Sequence, residues 1–188
     1  MKPAVVIIDI QEWFFRTSRR RKSLPRLIKA TNELIEFFHK NNFPVIHVIT
    51  SHKKDKSTWD LIMKKQNRAV LIEGTMSVQE FDEIKKSNND KVIKKTRHSA
   101  FIRTKFENYL NKNKIDTLIL AGVFIDGCIG LTAIDGYERD FNVILSKDTV
   151  LGDNKFNSKA ILNLLKNEFA IKSLSNKEVK DFILSNGI

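Results

Sequence analysis

The stretch TLILAGVFIDGCIGLTAIDGYERDFNVIL, residues 117–145, contains the pattern that decides the fold. Apolar runs stand near its two ends, at 117–121 and 143–145, and neither alternates between apolar and polar residues. Such runs are typical of strands that are buried on both faces of a parallel sheet. Between them, one helix face is indicated by four small or apolar residues at helical spacing: Ile129, Thr132, Ala133 and Gly136. The stretch therefore predicts a strand, a helix and a second strand parallel to the first.

The same alternation of strand and helix continues along the rest of the chain. Further apolar runs occupy residues 4–8, 45–49, 92–93 and 170–174. Helix faces are indicated between the runs by residues at 3.6-residue spacing: Leu27, Ala30, Leu34, Ile35 and Phe38, then Phe106 and Leu110, then Ile161, Leu165 and Phe169. We predict a three-layer α/β/α sandwich with a mainly parallel, roughly six-stranded Rossmann-like sheet. One domain is expected to span residues 1–188.

The composition favours a globular protein of a reducing compartment. Hydrophobic residues make up 41% of the 188 residues and charged residues 29%, and Cys128 is the only cysteine, so an intrachain disulfide is excluded. The first apolar run is interrupted by Asp9, Gln11 and Glu12, unlike a signal peptide. No stretch approaches the roughly 20 apolar residues of a membrane span. We therefore predict a cytoplasmic location and no membrane association.

The formal net charge of +11 raises the question of an anionic partner. The lysines are spread along the chain among many Asn and Ile residues, a pattern typical of a solvated surface, and nucleic acid is not the expected partner. The densest basic cluster is the tract from Arg16 to Arg26. We expect this tract to be a mobile loop near the entrance of the site.

Three residues with chemical potential follow predicted strands or open a predicted helix. Asp9 and Lys95 end two of the apolar runs, and Cys128 stands at the start of the helix after residue 121. In a parallel sheet these positions share one edge, where ligands bind. Each residue has an ordinary structural explanation when taken alone. Together they supply a base, a cation and a nucleophile, and the helix N-terminus and Lys95 are expected to lower the pKa of the Cys128 thiol.

Four segments carry a resemblance to a known family. They are AVVIIDIQEWF (4–14), IEGT (72–75), KTRHSAF (95–101) and AGVFIDGCIGLTAIDGYERDFNVILSKDTV (121–150). In this order and spacing the chain resembles the isochorismatase-like cysteine hydrolases, a group that includes nicotinamidases and N-carbamoylsarcosine amidases. The resemblance extends over residues 4–150, nearly the whole predicted fold.

The resemblance implies hydrolysis of a C–N bond in a small amide, urea or carbamoyl compound through a thioester-type acyl-enzyme. Cys128 would be the nucleophile, and Asp9 would take the thiol proton, pass it to the leaving nitrogen and later activate water. Lys95 rather than Lys94 would stabilise the thiolate. The backbone amides of Phe124 and Cys128 would form the oxyanion hole, beside a cis peptide bond between Val123 and Phe124. The resemblance also implies a homodimer or homotetramer and no cofactor.

Substrate contacts are expected from residues close to the reacting groups in sequence: Gln11, Trp13, Phe15, Arg97 and Phe124. No catalytic metal is predicted. The Asp-x-His metal motif of nicotinamidases is absent after the second strand, and His47 and His52 do not have a convincing ligand spacing.

Two alternatives remain open at this point. One is an isochorismatase-type vinyl-ether hydrolase, which Cys128 disfavours because true isochorismatases usually carry a small residue at the matching position. The other is a non-catalytic family member that binds nucleic acid or another anion through its basic surface. The complete set of Asp9, Lys95 and Cys128 favours the amide hydrolase, although Ile125 departs from the threonine that many members carry there.

Overall fold

The computed structural model describes residues 1–187, and six parallel strands form its central sheet. The strands are Pro3–Ile8 (β1), Val45–Thr50 (β2), Lys91–Lys95 (β3), Thr117–Val123 (β4), Asn142–Leu151 (β5) and Lys172–Leu174 (β6). Their order across the sheet is β3-β2-β1-β4-β5-β6. The predicted fold class and its parallel, six-stranded sheet are confirmed.

Six α-helices connect or follow the strands. They are Ser18–Lys40 (α1), Leu61–Gln66 (α2), Phe106–Lys112 (α3), Gly130–Tyr137 (α4), Lys155–Asn167 (α5) and Asn176–Gly187 (α6). Short 3-10 turns occupy Glu12–Phe15 and Met76–Val78, and a wide turn, Ile125–Ile129, joins β4 to α4. Among the helices within residues 1–187, none is both long enough and apolar enough to cross a membrane.

The central strand β1 separates two hydrophobic cores. All six of its residues are buried, because successive side chains point to opposite faces and both faces are covered. Val5 and Ile7 belong to the core beneath α1 and α6, whereas Val6 and Ile8 belong to the core beneath α3, α4 and α5. This double burial explains why the apolar runs in the sequence do not alternate with polar residues.

The order of the strands reverses at the centre of the sheet. From β1 the chain builds outward through β2 to β3, then crosses back to place β4 on the other side of β1. Since all strands are parallel, their carboxyl ends share one edge, and the reversal leaves a crevice there. The residues that reach this edge from four strands are Asp9, Thr50, Lys95 and Phe124.

A close backbone contact joins β1 to β4 just below that edge. Gly122 has a φ of +120°, and a Cβ added to it would lie 2.0 Å from the carbonyl oxygen of Ile8. Only glycine fits this contact. Because Ile8 precedes Asp9 and Gly122 precedes the wide turn, the contact sets the distance between the two chain segments that carry the site.

The expectation that the basic tract is a mobile loop is wrong. The tract forms the first turns of α1, which Thr17 caps by accepting a hydrogen bond from the Arg20 backbone N–H at 3.5 Å. The side chains of Arg19 and Arg20 bind the carboxylate of Asp153, with nitrogen–oxygen distances of 3.0 and 2.6 Å. The tract is thus held by an acid more than a hundred residues away in sequence, which local composition could not reveal.

Candidate active site

Asp9 leaves β1 in a backbone conformation that few residues adopt. Its φ is +58°, in the left-handed region, where aspartate is more common than most residues. Its N–H donates to the carbonyl of Val48 at 2.9 Å, so the backbone pairing with β2 continues through this residue. The side chain is fully buried, and its Oδ1 accepts two hydrogen bonds from Thr50: from the backbone N–H at 3.0 Å and from Oγ1 at 2.8 Å.

Lys95 connects Asp9 to Cys128. It ends β3, in which Ile93 and Lys95 are buried while Lys94 points to solvent, so the alternation of the strand selects Lys95 for the site. Its Nζ lies 2.8 Å from Asp9 Oδ2 and 3.3 Å from Cys128 Sγ. Burial acts to lower the pKa of Lys95, but Asp9 and Cys128 outweigh it, and the pKa is raised above its ordinary value. Lys95 is therefore a cation in the resting site.

The Cys128 thiol is protonated in the resting site, contrary to the sequence-based expectation. Burial, followed by the charge of Asp9, raises the pKa of Cys128 to about 12, and Lys95 offsets only part of this rise. The position at a helix start is not sufficient to form a thiolate, because the sulfur is buried beside a carboxylate.

One oxygen of Asp9 is left to receive the thiol proton. Oδ1 is occupied by Thr50, whereas Oδ2 is buried and accepts no well-directed hydrogen bond from the described residues. The 2.8 Å contact of Oδ2 with Lys95 Nζ is an ion pair. The carboxylate thus keeps a free lone pair next to the thiol.

The protonated thiol predicts slow alkylation at neutral pH. Because the pKa is raised and only the thiolate reacts, the rate of iodoacetamide labelling should keep rising with pH past about 8.5, the ordinary thiol value, without a plateau. Intact-protein mass spectrometry over a pH series measures this rate. Cys128→Ala is the matched control, since the chain has no other cysteine. A plateau below about pH 8.5 would contradict the prediction.

A cavity of about 470 Å³ opens onto the thiol. Its lining combines apolar residues, called the apolar wall below, with polar and charged residues. The lining residues of the apolar wall are Trp13, Phe14, Leu61, Ile62, Val70 and Leu71, and those of the polar part are Thr50, His52, Asp60, Lys95, Thr96, Arg97, His98 and Cys128. A cavity of about 600 Å³ lies at the opposite edge of the sheet, where β5 begins, and contains none of the three reacting groups.

Of the five residues expected to contact substrate, Trp13 and Arg97 line the cavity. The structure does not bring the side chains of Gln11, Phe15 and Phe124 to it. Gln11 is buried and bound to the backbone, donating to the carbonyls of Thr50 and Val78 and accepting from the Thr50 N–H.

The two phenylalanines lie on the other side of the sheet edge. Phe15 is fully buried in the core beneath α1, with its ring centroid 5.5 Å from that of Phe81. Phe124 packs edge-on against Phe14 at 5.9 Å and lies beneath the guanidinium of Arg20 at 4.7 Å. Apolar residues next to a strand end can face either the core or the cavity, and here both side chains pack against the core.

The nucleophile turn is held at both ends. The peptide bond between Val123 and Phe124 is cis, as predicted. The Phe124 carbonyl then accepts hydrogen bonds from the N–H groups of Gly127 at 2.9 Å and Ile129 at 3.1 Å. Asp126 accepts two more, from the backbone N–H groups of residues 153 and 154, each at 2.9 Å. The turn that presents Cys128 is therefore tied to the segment that also binds the basic tract.

Three residues of the site were missed at the level of sequence. Thr50 contacts both Asp9 and Lys95, donating to the first and accepting from Nζ of the second at 2.7 Å. His98 Nδ1 lies 3.6 Å from Cys128 Sγ. His52 is buried in the cavity wall. Thr50 ends β2 at the edge where Asp9 and Lys95 end their strands, so the strand-end rule was a signal that could have identified it.

The histidines are engaged by protein groups. His47 faces Glu80 at 3.0 Å and Asp90 at 3.4 Å, away from the cavity. His52 Nδ1 donates to the Thr58 carbonyl at 3.0 Å, and burial lowers the pKa of its imidazole, which is therefore neutral at physiological pH. Across residues 1–187, no three His, Cys, Asp or Glu side chains are grouped so that they could hold a metal ion.

Comparisons with known proteins identify the family. The isochorismatase domain model matches residues 3–176. An isochorismatase family protein of Bacillus subtilis, YrdC, is 22% identical over 97% of each chain. The N-carbamoylsarcosine amidase of an Arthrobacter species is 38% identical over a shorter segment, 37% of this chain and 26% of that protein. The crystal structure of N-carbamoylsarcosine amidase from Thermoplasma acidophilum matches with a TM-score of 0.81 and 26% identity, covering 94% of this chain and 97% of that one. The domain match extends over nearly the whole chain, which therefore belongs to the isochorismatase family.

Proposed function

We propose that the chain is a cysteine hydrolase that cleaves the C–N bond of a small amide, urea or carbamoyl compound. The observation that carries the proposal is the contact of Lys95 Nζ with both Asp9 Oδ2, at 2.8 Å, and Cys128 Sγ, at 3.3 Å. Lys95 and Cys128 line a cavity large enough for a small molecule, and Asp9 is buried beside them. A base, a cation and a nucleophile within contact distance are the parts that acyl transfer requires.

The first half of the proposed reaction forms a thioester. Asp9 Oδ2 takes the thiol proton as Cys128 Sγ attacks the substrate carbonyl carbon. Lys95 stabilises the sulfur anion while the proton leaves, so a free thiolate need not be populated beforehand. The backbone amides of Phe124 and Cys128 hold the oxyanion, and the C–N bond then breaks as Asp9 gives the proton to the leaving nitrogen. Hydrolysis of the thioester releases the acid.

The names of relatives support a C–N bond as the target. Both N-carbamoylsarcosine amidases carry that activity in their names, although each is a distinct protein. A vinyl-ether hydrolase would have no use for a thiol with its own base, which is the arrangement observed at Cys128. We therefore retain the amide hydrolase as the proposal.

A substrate panel tests this function. Purified protein is incubated with small amides, ureas and N-carbamoyl compounds, and ammonia release is measured by a coupled assay. Cys128→Ala, prepared in parallel, is the control for background hydrolysis. Release that requires Cys128 supports the proposal. Turnover of isochorismate, with no release of ammonia from any member of the panel, would favour the vinyl-ether reaction instead.

A further inference from the structure

The cavity contains a cation that no protein carboxylate neutralises. The side chain of Arg97 is half-buried and lines the cavity. Its Nη1 donates to two backbone carbonyls, that of Thr96 and, at 3.0 Å, that of Thr58. Among residues 1–187 it has no ion-pair partner, and its Nε and Nη2 donate no hydrogen bond. The guanidinium is therefore anchored through one nitrogen and keeps one two-donor edge free.

The acids near Arg97 have other partners. Asp60 also lines the cavity, and its Oδ1 caps α2 by accepting a hydrogen bond from the Met63 N–H at 2.8 Å. Asp9 is paired with Lys95 at 2.8 Å. Neither acid forms an ion pair with Arg97 in the part of the chain that the structure describes. Because a half-buried cation is costly to leave without a counter-ion, the free edge of Arg97 is suited to an anion that arrives with the substrate.

Two further arginines lie beside the same cavity. Their guanidinium carbons are 3.8 Å (Arg16) and 5.5 Å (Arg68) from the ring centroid of Trp13, which lines the cavity. Both arginines are exposed, and neither has an ion-pair partner among the described residues. Burial, followed by the positive charges of Arg20 and Arg68, lowers the pKa of Arg16, so like charges are close together here. Such a group of cations raises the local concentration of small anions.

We propose that the substrate carries a carboxylate, which the Nε and Nη2 edge of Arg97 binds while Cys128 attacks an amide or ureido carbonyl at the other end. This inference rests on the proposed hydrolase function and names the class of substrate within it. Arg16 and Arg68 attract the anion, and the apolar wall contacts the carbon chain between the two polar ends. The expected substrates are short half-amides of dicarboxylic acids and N-carbamoyl amino acids.

The position of Arg97 makes the expected substrate short. Its carbonyl accepts a hydrogen bond from Lys95 Nζ at 3.1 Å, and the next residue, His98, has its Nδ1 3.6 Å from Cys128 Sγ. The side chain of Arg97 then extends from this point to Thr58 on the connection from β2 to β3. The bound carboxylate and the reacting carbonyl are thus separated by roughly one arginine side chain, which a short carbon chain can span.

Matched pairs of compounds test the requirement for a charge. Succinamate is compared with N-methylsuccinamide, and N-carbamoylglycine with its N-methylamide, so that only the first member of each pair carries a carboxylate. Ammonia release gives kcat/KM for each compound, with Cys128→Ala as the background control. In at least one pair the acid should exceed its neutral partner by about 100-fold, the effect of a charge-assisted hydrogen-bonded pair.

Variants of Arg97 test which residue reads the charge. Arg97→Gln should bring the ratio of the two kcat/KM values to within about threefold of unity, because glutamine lacks the charge and the fork. A general disturbance of the fold would affect both members of a pair and cancel in this ratio. Arg97→Lys, which keeps the charge without the fork, should retain about a tenth of the ratio. Arg26→Gln, at an exposed arginine of α1 away from the cavity lining, is the matched control and should leave the ratio as it is.

The two outer arginines are tested through ionic strength. The double variant Arg16→Gln/Arg68→Gln should lower kcat/KM for the acid about fivefold at low salt and weaken its fall as salt is added. An unchanged salt dependence would overturn the contribution of these two residues.

The remaining outcomes separate this inference from the proposed function. Equal turnover of the acid and its neutral partner, or turnover of neutral compounds alone, would overturn the inference and leave the hydrolase proposal intact. A preference for the acid that persists in Arg97→Gln would overturn the role of Arg97. If no compound of the pairs or of the wider panel releases more ammonia than with Cys128→Ala, the proposed function fails and this inference fails with it.

Discussion

Replacement of Cys128 by alanine is expected to lower kcat on any substrate found by at least about 10⁵-fold, because the covalent route is lost with the nucleophile. Asp9→Asn should have a similar effect, since its amide cannot accept the thiol proton. Lys95→Ala should cost about 10³-fold, because a thiolate forming in a buried site would lose the cation that lies 3.3 Å from it. Steady-state kinetics with ammonia detection measures all three.

Lys94→Ala is the matched control for the lysine. It precedes Lys95 on the same strand, carries the same charge and points to solvent. Its removal should leave kcat within about twofold, as expected for an exposed surface residue. Equal losses for the two lysine variants would show that the ammonium near Cys128 contributes through general charge rather than through contact.

Thr50→Val is expected to lower kcat about 10³-fold without unfolding the protein. Valine keeps the shape of threonine but removes the hydroxyl that donates to Asp9 Oδ1 and accepts from Lys95 Nζ. Two charge-assisted hydrogen bonds, each worth about 1.5–3 kcal/mol, are lost, and about 1.4 kcal/mol corresponds to tenfold in rate. Asp9 Oδ1 would then be held by the Thr50 backbone N–H alone, and the orientation of the carboxylate toward the thiol would be less well fixed.

Thr50→Ser separates positioning from packing. Serine restores the hydroxyl but not the methyl group, so it should recover kcat to within about tenfold of the unaltered protein. Circular dichroism melting curves of the two variants should be similar, and the pH profile of kcat should shift only in the valine variant. If serine is as inactive as valine, the hydroxyl does not account for the loss, and the assigned role in orienting Asp9 is wrong.

The sequence was sufficient for the centre of the sheet because the central strands are buried on both faces. β1 and β4 lie at the centre, and their apolar runs fall within the observed strands. The run at 143–145 is only part of β5, which continues to Leu151 through the polar residues of its second half. Tertiary pairing with β4 extends that strand beyond its own hydrophobic pattern.

The sequence was insufficient where the partner of a residue is distant in the chain. The arginines of the basic tract resemble a flexible charged segment until Asp153 is placed beside them. Phe15 and Trp13 are two residues apart, yet one enters the core and the other lines the cavity. The protonation of Cys128 depends on its burial next to Asp9. No local motif indicates this burial. His98 lies within the segment KTRHSAF, but the sequence does not show that the fold brings its side chain to the sulfur of Cys128.

Four of the six apolar residues that line the cavity come from a different part of the chain than its reacting atoms. Leu61, Ile62, Val70 and Leu71 all belong to the connection between β2 and β3, whereas the reacting groups stand at the ends of strands or on the turn after β4. Substitutions at these four positions change the shape offered to an acyl group without altering the two cores that cover the sheet, to which none of the four belongs. A protein engineer who wishes to retarget the enzyme therefore has a defined segment to randomise, and natural divergence of substrate range has the same route open to it.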